Sequence, residues 1–256
     1  TGARALKPHI EGIDLGGVFT LRDMESGQRI KEYLEKNSPE SALIVGGGYI
    51  GMEMAEAFHA YGINSHIVEL LPHVLNSFGP EIAKVVENHI QEYTTLHLGK
   101  YVNTIRKESH GKLSVQLKDK KAEDYEEYPL TDMVLVAAGI APEVSLARET
   151  GIKLGQTGAI ATDEYGQTSI TDIYAAGDCA EVKHTVTGKP SYIPLALTAN
   201  RNGRAIGSTI AGKTTKLASI TGTAIVKVFQ LEVATTGVVD TEIAGKNGFN
   251  PIKITI

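Results

Sequence analysis

Three glycines, Gly46, Gly48 and Gly51, stand in G-x-G-x-x-G spacing within 42-ALIVGGGYIGMEMAEAFHAYGINSHIVEL-70. Residues of this type and spacing can hold a pyrophosphate. The first glycine permits a tight turn, the second lets the anion approach the backbone, and the third lets a helix pack on a strand. The chemistry is electrostatic, because the N–H groups that open a helix lack intrahelical partners and lie at its positive end. Glu69 lies 18 positions beyond Gly51, close to where an acid is expected to accept hydrogen bonds from both ribose hydroxyls. A carboxylate there would repel a 2′-phosphate, and no arginine in the next few positions would welcome one. NADH is therefore favoured over NADPH.

These residues need a strand, a turn, a helix and a second strand to position them. Residues 42-ALIVG form an apolar, branched run suited to a buried parallel strand. Ile50, Met54, Phe58 and Tyr61 recur at helical spacing, with Gly51 and Ala55 keeping a neighbouring face small. Gly62 ends the helix and 65-SHIVE resumes a strand. Further on, 81-EIAKVVENHIQEY predicts an amphipathic helix with Ile82, Val85, Val86 and Ile90 on one face. Strands at 101-YVNTI and 113-LSVQL, with no helix between them, predict an antiparallel flap or meander inserted in the α/β unit. The charged run 118-KDKKAEDYEEY reads as a solvated turn. Strands are expected at 133-MVLVAAG and 173-IYAAGD, a turn at Tyr165-Gly166, and a helix over 195-LALTANRNGRAIGSTIAG. A β-rich piece opens at 222-GTAIVKVFQLEVATTG, and the chain closes on the strand-like 251-PIKITI.

Composition narrows the function classes. The formal net charge of -5 gives no electrostatic reason to expect nucleic acid or an anionic membrane as partner. No apolar run approaches the ~20 residues that span a bilayer. One cysteine, Cys179, excludes an intrachain disulfide and a four-cysteine metal site. The eight histidines are scattered without H-E-x-x-H or paired spacing, so no metal site is expected. Nothing argues against a reducing cytosol, and a cytoplasmic location is expected. The opening Thr1-Gly2-Ala3-Arg4 and the final strand read as cuts through a larger protein.

A second pattern, 168-TSITDIYAAGD, joins GGGYIG and the opening TGAR. Together they resemble the flavin-containing pyridine nucleotide-disulfide oxidoreductases. The closest branch is similar to coenzyme A-disulfide reductase, NADH oxidase and NADH peroxidase, through 193-IPLALTANRNGRAIGSTIAG and 222-GTAIVKVFQLEVATTG. The resemblance implies an α/β fold: a Rossmann-like NAD-binding domain inserted in a second dinucleotide-binding (FAD) domain, with the start of an α+β interface domain. The implied boundaries are 1–19 and 141–218 for the FAD domain, 20–140 for the NAD(H) domain, and 219–256 for an incomplete dimerisation domain.

The resemblance also implies site residues. Gly46, Gly48, Tyr49, Ile50 and Gly51 match the NAD loop, with Tyr49 at the place of an aromatic that covers the flavin until nicotinamide displaces it. Glu53 matches a glutamate that pairs with a lysine near the flavin, and Gly139 ends a segment beside NAD. On the FAD side stand Thr1, Gly2, Arg22, Gly177, Asp178, Leu195, Ala196 and Leu197, with Asp178 matching the residue that bonds the ribityl portion. Ala141 and Glu143 depart from the family's arginine and Pro-Asn pair, and Gly79 stands where relatives carry an aspartate cap. The redox cysteine is expected upstream, and Cys179, without a basic neighbour, is read as structural.

The implied function is a flavin-dependent NADH oxidoreductase, with FAD and NAD(H) as cofactors. Electrons would pass to a small-molecule or thiol/disulfide substrate, to peroxide or to oxygen, and the full-length protein would be a homodimer. Two alternatives stay open: an NADH-dependent reductase of rubredoxin or ferredoxin, and a non-catalytic NAD-binding fragment.

Overall fold

The computed structural model describes residues 1–120 and 124–254. The chain opens with β1 (Ala3–Ala5), β2 (Val18–Thr20), α1 (Met24–Asn37) and β3 (Ser41–Val45). Then come α2 (Tyr49–Ala60), β4 (Asn64–Glu69), α3 (Pro80–Ile90) and β5 (Thr94–Leu98). A run of strands follows: β6 (Lys100–Lys107), β7 (Leu113–Asp119), β8 (Tyr125–Thr131), β9 (Met133–Val136) and β10 (Ile140–Pro142). The remainder holds α4 (Ser145–Glu149), β11 (Val182–Lys183), β12 (Pro190–Ser191), α5 (Ala196–Ile210), β13 (Ala224–Val228), β14 (Leu231–Thr235) and α6 (Thr241–Lys246).

Two compact units result. One gathers Thr1–Arg4, Ile140–Ala224 and Thr235–Ile256; the other gathers Ala5–Gly139 and Ile225–Ala234. The second unit is built on a five-stranded parallel sheet in the order β2-β9-β3-β4-β5. Parallel strands covered on both faces are apolar throughout, and all four residues of β9 and Ala42 to Val45 of β3 are buried accordingly. An antiparallel meander, β6-β7-β8, covers one face, as the strand succession predicts. Leu43, Val68 and Val134 of the sheet share a core with Val102, Ile105, Leu113, Val115 and Leu117 of the meander. The helix α2 packs on β3 and β4.

The helix faces differ from expectation. Gly51, Met52, Ala55 and Phe58 are the buried residues of α2, and Tyr61 is 60% exposed. The small residues form the packing face because close approach of helix and sheet needs them. In α3 the buried residues are Ala83, Val86, Glu87 and Ile90, while Ile82 and Val85 are exposed. The expected strand at 173-IYAAGD does not form; Tyr174 makes only an isolated bridge with Gln167. Branched residues alone do not make a strand without a neighbouring ladder. Part of the predicted solvated turn is strand, since β8 starts at Tyr125, and residues 121–123 lie outside the described residues. No strand forms over 251–254, and residues 255–256 lie outside the described residues.

In the first unit, Val144, Ala147, Ile160 and Cys179 form a small core. Cys179 is buried and its thiol donates to the Ala176 carbonyl at 3.5 Å. The unit's helix α6 is capped by Asp240 through the N–H groups of Glu242 and Ile243, whereas nearly all of the hairpin β13–β14 belongs to the second unit.

Candidate functional site

The glycine loop joins β3 to α2 as its spacing predicts. Gly46 has φ 114°, and a Cβ there would stand 2.3 Å from the Ala137 carbonyl oxygen. A Cβ on Gly51 would stand 2.0 Å from the Gly46 carbonyl oxygen. Gly46 and Gly51 are thus required by the protein's own backbone. Gly48 is different: no atom lies within 4 Å of a Cβ built on it. Open space beside the middle glycine is what a bound pyrophosphate requires. Gly48 is also the N-cap of α2, where no side chain caps the helix and no acid occupies the first turn. Its first N–H groups are left to an incoming anion.

Glu69 ends β4 and reaches back to the loop. Its Oε2 accepts the Gly47 N–H at 2.6 Å, and its Oε1 accepts the Leu71 N–H at 2.8 Å. An ionised carboxylate offers about four acceptor positions, so this bridge leaves capacity for a ribose hydroxyl. The segment after Glu69 returns over the loop, where the Leu75 N–H donates to the Gly47 carbonyl at 2.9 Å. Val74 Cγ1 would stand 2.9 Å from a Cβ on Gly47.

Tyr49 and Ile50 fall in the first turn of α2. The Tyr49 ring lies 5.6 Å from that of Phe78, and the Ser77 hydroxyl donates to its oxygen at 3.5 Å. Glu53 is exposed on the same helix. Gly139 has φ 103° and accepts the Leu6 N–H at 2.9 Å. The strand end at residues 137–138 touches Gly46, which brings the approach to Gly139 beside the glycine loop. Arg22, also in this unit, is exposed just ahead of α1, with its N–H on Ser26 Oγ at 2.9 Å.

The other predicted residues lie in the first unit. Gly2 accepts the Glu143 N–H at 2.9 Å, beside the exposed Thr1. Gly177 has φ 82°, and its Cβ would stand 3.4 Å from Ala199 Cβ, which brings the Gly177-Asp178 turn onto α5. Leu195 is the N-cap of α5 without a side-chain cap. Ala196 and Leu197 form its first turn, and Leu197 is 73% exposed. Gly47, His73, Val74, Leu75 and Glu87 were not singled out from sequence. Only the place of Gly47 inside the GGG run signalled any of them.

Among the described residues, no group of three or more His, Cys, Asp or Glu could hold a metal. No described helix is long and apolar enough to cross a membrane. A family model described as pyridine nucleotide-disulphide oxidoreductase matches residues 1–203. The chain is 42% identical over 250 residues to an NAD(P)H sulfur oxidoreductase (CoA-dependent) of Pyrococcus abyssi, covering 97% of this chain and 54% of that protein. It is 37% identical to an NADH oxidase of Methanocaldococcus jannaschii, covering 93% of this chain and 51% of the relative. The crystal structure of reduced Bacillus anthracis CoADR-RHD matches with TM-score 0.89 and 36% identity, over 97% of this chain and 43% of that one. The chain spans about half the length of the curated relatives it matches. It belongs to the pyridine nucleotide-disulphide oxidoreductase family.

Proposed function

We propose that the chain carries the NADH site and part of the FAD site of a flavin-dependent oxidoreductase of the coenzyme A-disulfide reductase or NADH oxidase type. The observation that carries this reading is the open space at Gly48 in front of the uncapped start of α2. Bound together, the two cofactors supply hydride transfer from nicotinamide to flavin and onward two-electron reduction of a disulfide, persulfide, peroxide or oxygen. The protein's own share is binding and orientation. Gly46, Gly48, Ile50 and Gly51 form the loop that would receive the pyrophosphate, and Tyr49 would be the aromatic that covers the flavin until nicotinamide displaces it. Glu69 would select the ribose, and Gly139 and Glu53 would border the nicotinamide half. Thr1, Gly2, Arg22, Gly177, Asp178 and Leu195 to Leu197 contribute to the flavin site. The turn of Gly177 onto α5 and the uncapped start of that helix support a second nucleotide there.

Residues 20–140 are read as the NAD half, 1–19 and 141–218 as the FAD half, and 219–256 as the start of an interface domain. The boundary between compact units at Gly139 and Ile140 supports the end of the NAD half, although Ala5 to Phe19 also cluster with that unit. The full-length protein is read as a cytoplasmic homodimer acting on a small molecule, without nucleic acid or membrane. The acidic charge of this chain supports the last point.

Two measurements on the purified, dialysed chain test the proposal: a visible absorption spectrum and an NADH titration. A flavin spectrum with saturable NADH binding is expected where the flavin site is sufficient. A colourless chain that still binds NADH reduces the reading to the NAD half. Failure to bind NADH overturns it.

A further inference from the structure

The segment that follows Glu69 is held by a buried carboxylate on the next helix. Glu87 of α3 is 1% exposed, and a carboxylate so far from water must be paired and hydrogen-bonded. Its Oε1 stands 2.9 Å from His73 Nδ1 and accepts the Val74 N–H at 3.3 Å. Its other oxygen, Oε2, stands 3.4 Å from Lys84 Nζ on the same helix. Apart from Lys84, these partners belong to the short segment 73–76.

That segment is shaped for contact with the glycine loop. Val74 packs on Gly47, and the Leu75 N–H reaches the Gly47 carbonyl. Leu75 is 2% exposed and has φ 45°, in the left-handed region. A leucine holds that conformation only where its surroundings enforce it. The Asn76 amide donates to the His73 carbonyl and closes the turn. Gly47, pressed from this side, is the residue whose N–H holds Glu69.

We propose that Glu87 is a positioning residue of the nucleotide site. Through His73 and the Val74 N–H it seats residues 73–76 on Gly47, which keeps the glycine loop and Glu69 in one arrangement before ligand arrives. Pre-arrangement of this kind lowers the cost of binding. The inference rests on the reading of the loop as an NADH site.

The test compares NADH and NADPH titrations of the chain as wild type, Glu87→Ala, Glu87→Gln and His73→Ala. Glu87→Ala is expected to raise the NADH Kd about tenfold and the NADPH Kd much less, so that the preference between them narrows. Glu87→Gln keeps an oxygen for the Val74 N–H and recovers part of the loss. A purely structural role would weaken both nucleotides equally and leave the preference alone. Either that result or unchanged binding in folded variants overturns the proposal. Should Glu87→Ala fail to fold by circular dichroism, Glu87→Gln and His73→Ala must still narrow the preference, or the proposal falls. A wild-type chain that binds no NADH removes the underlying reading and the inference with it. Wild-type binding with an unmoved preference in the variants removes the inference alone.

Discussion

Tyr93 and Phe229 lie face to face, with ring centroids 4.1 Å apart and planes 12° from parallel. The His59 ring meets both edge-on, at 5.2 and 5.6 Å. The Tyr93 hydroxyl donates to Gln230 Oε1 at 2.8 Å, across 137 residues of sequence. Glu56 of α2 accepts the Phe229 N–H at 2.8 Å and stands 3.1 Å from Lys227 Nζ. The hairpin β13–β14 is thereby fastened to α2, the helix that opens at the glycine loop.

Phe229 is 4% exposed, so removing its ring leaves a cavity beside Tyr93. Phe229→Ala should destabilise this unit by about 3–5 kcal/mol, as buried phenylalanine truncations do. Denaturant unfolding measures it. A loss below about 1 kcal/mol would make the aromatic stack incidental to the unit's stability.

Two of the loop glycines should fail in opposite ways. Gly51→Ala forces a methyl group against the Gly46 carbonyl and should lower the melting temperature with or without ligand. Gly48→Ala meets no protein atom and should fold normally, yet lose NADH affinity by about tenfold or more because the methyl group occupies the anion's place. Thermal melts beside NADH titrations separate the two. Normal NADH binding by Gly48→Ala would put the pyrophosphate elsewhere.

Glu69→Ala should weaken NADH and relax discrimination against NADPH. It also strands the buried Gly47 N–H, while the exposed Leu71 N–H turns to water, so a stability loss of about 1–3 kcal/mol should accompany it. Titration of both nucleotides is the check, and an unchanged preference would remove Glu69 from the selectivity argument.

His66 on β4 and His97 on β5 bring Nδ1 and Nε2 to 3.2 Å. Burial holds both imidazoles below their usual 6.5; His97 adds to the effect on His66, and Lys100 to that on His97. The fold therefore favours their neutral forms. Their contribution to stability is full above about pH 6.5 and is lost as pH falls from there toward the lowered folded values. His66→Phe should flatten the fall in melting temperature between about pH 7 and pH 5. An unaltered slope would assign the acid loss to other groups.

The strand, glycine loop, helix and second strand at residues 41–69 are legible because local rules agree there: a branched run, three glycines, a small-residue helix face and a terminal acid. The α3 face was not legible, because hydropathy ranks Ile82 and Val85 above Glu87. A buried Glu87 makes sense only once His73 and the Val74 N–H stand beside it, and no spacing within α3 announces partners from a preceding loop. The 173-IYAAGD segment failed for a related reason, since a strand needs a neighbour that its own residues do not encode. The hairpin was visible at 222–235, but its attachment to Glu56 and Tyr93 is a long-range pairing with no local signal.

The place of β9 in the sheet carries a consequence for synthesis. Val134 pairs with Leu43 on one side and Val18 on the other, so the sheet stays divided until residues 133–136 have left the ribosome. Until then β3 presents an unpaired edge, and β2 has no ladder at all. Open apolar edges on a nascent chain invite aggregation. Chains halted just before residue 133 should be protease-sensitive or insoluble, whereas chains released a few residues after Val136 should resist digestion through β3, β4 and β5.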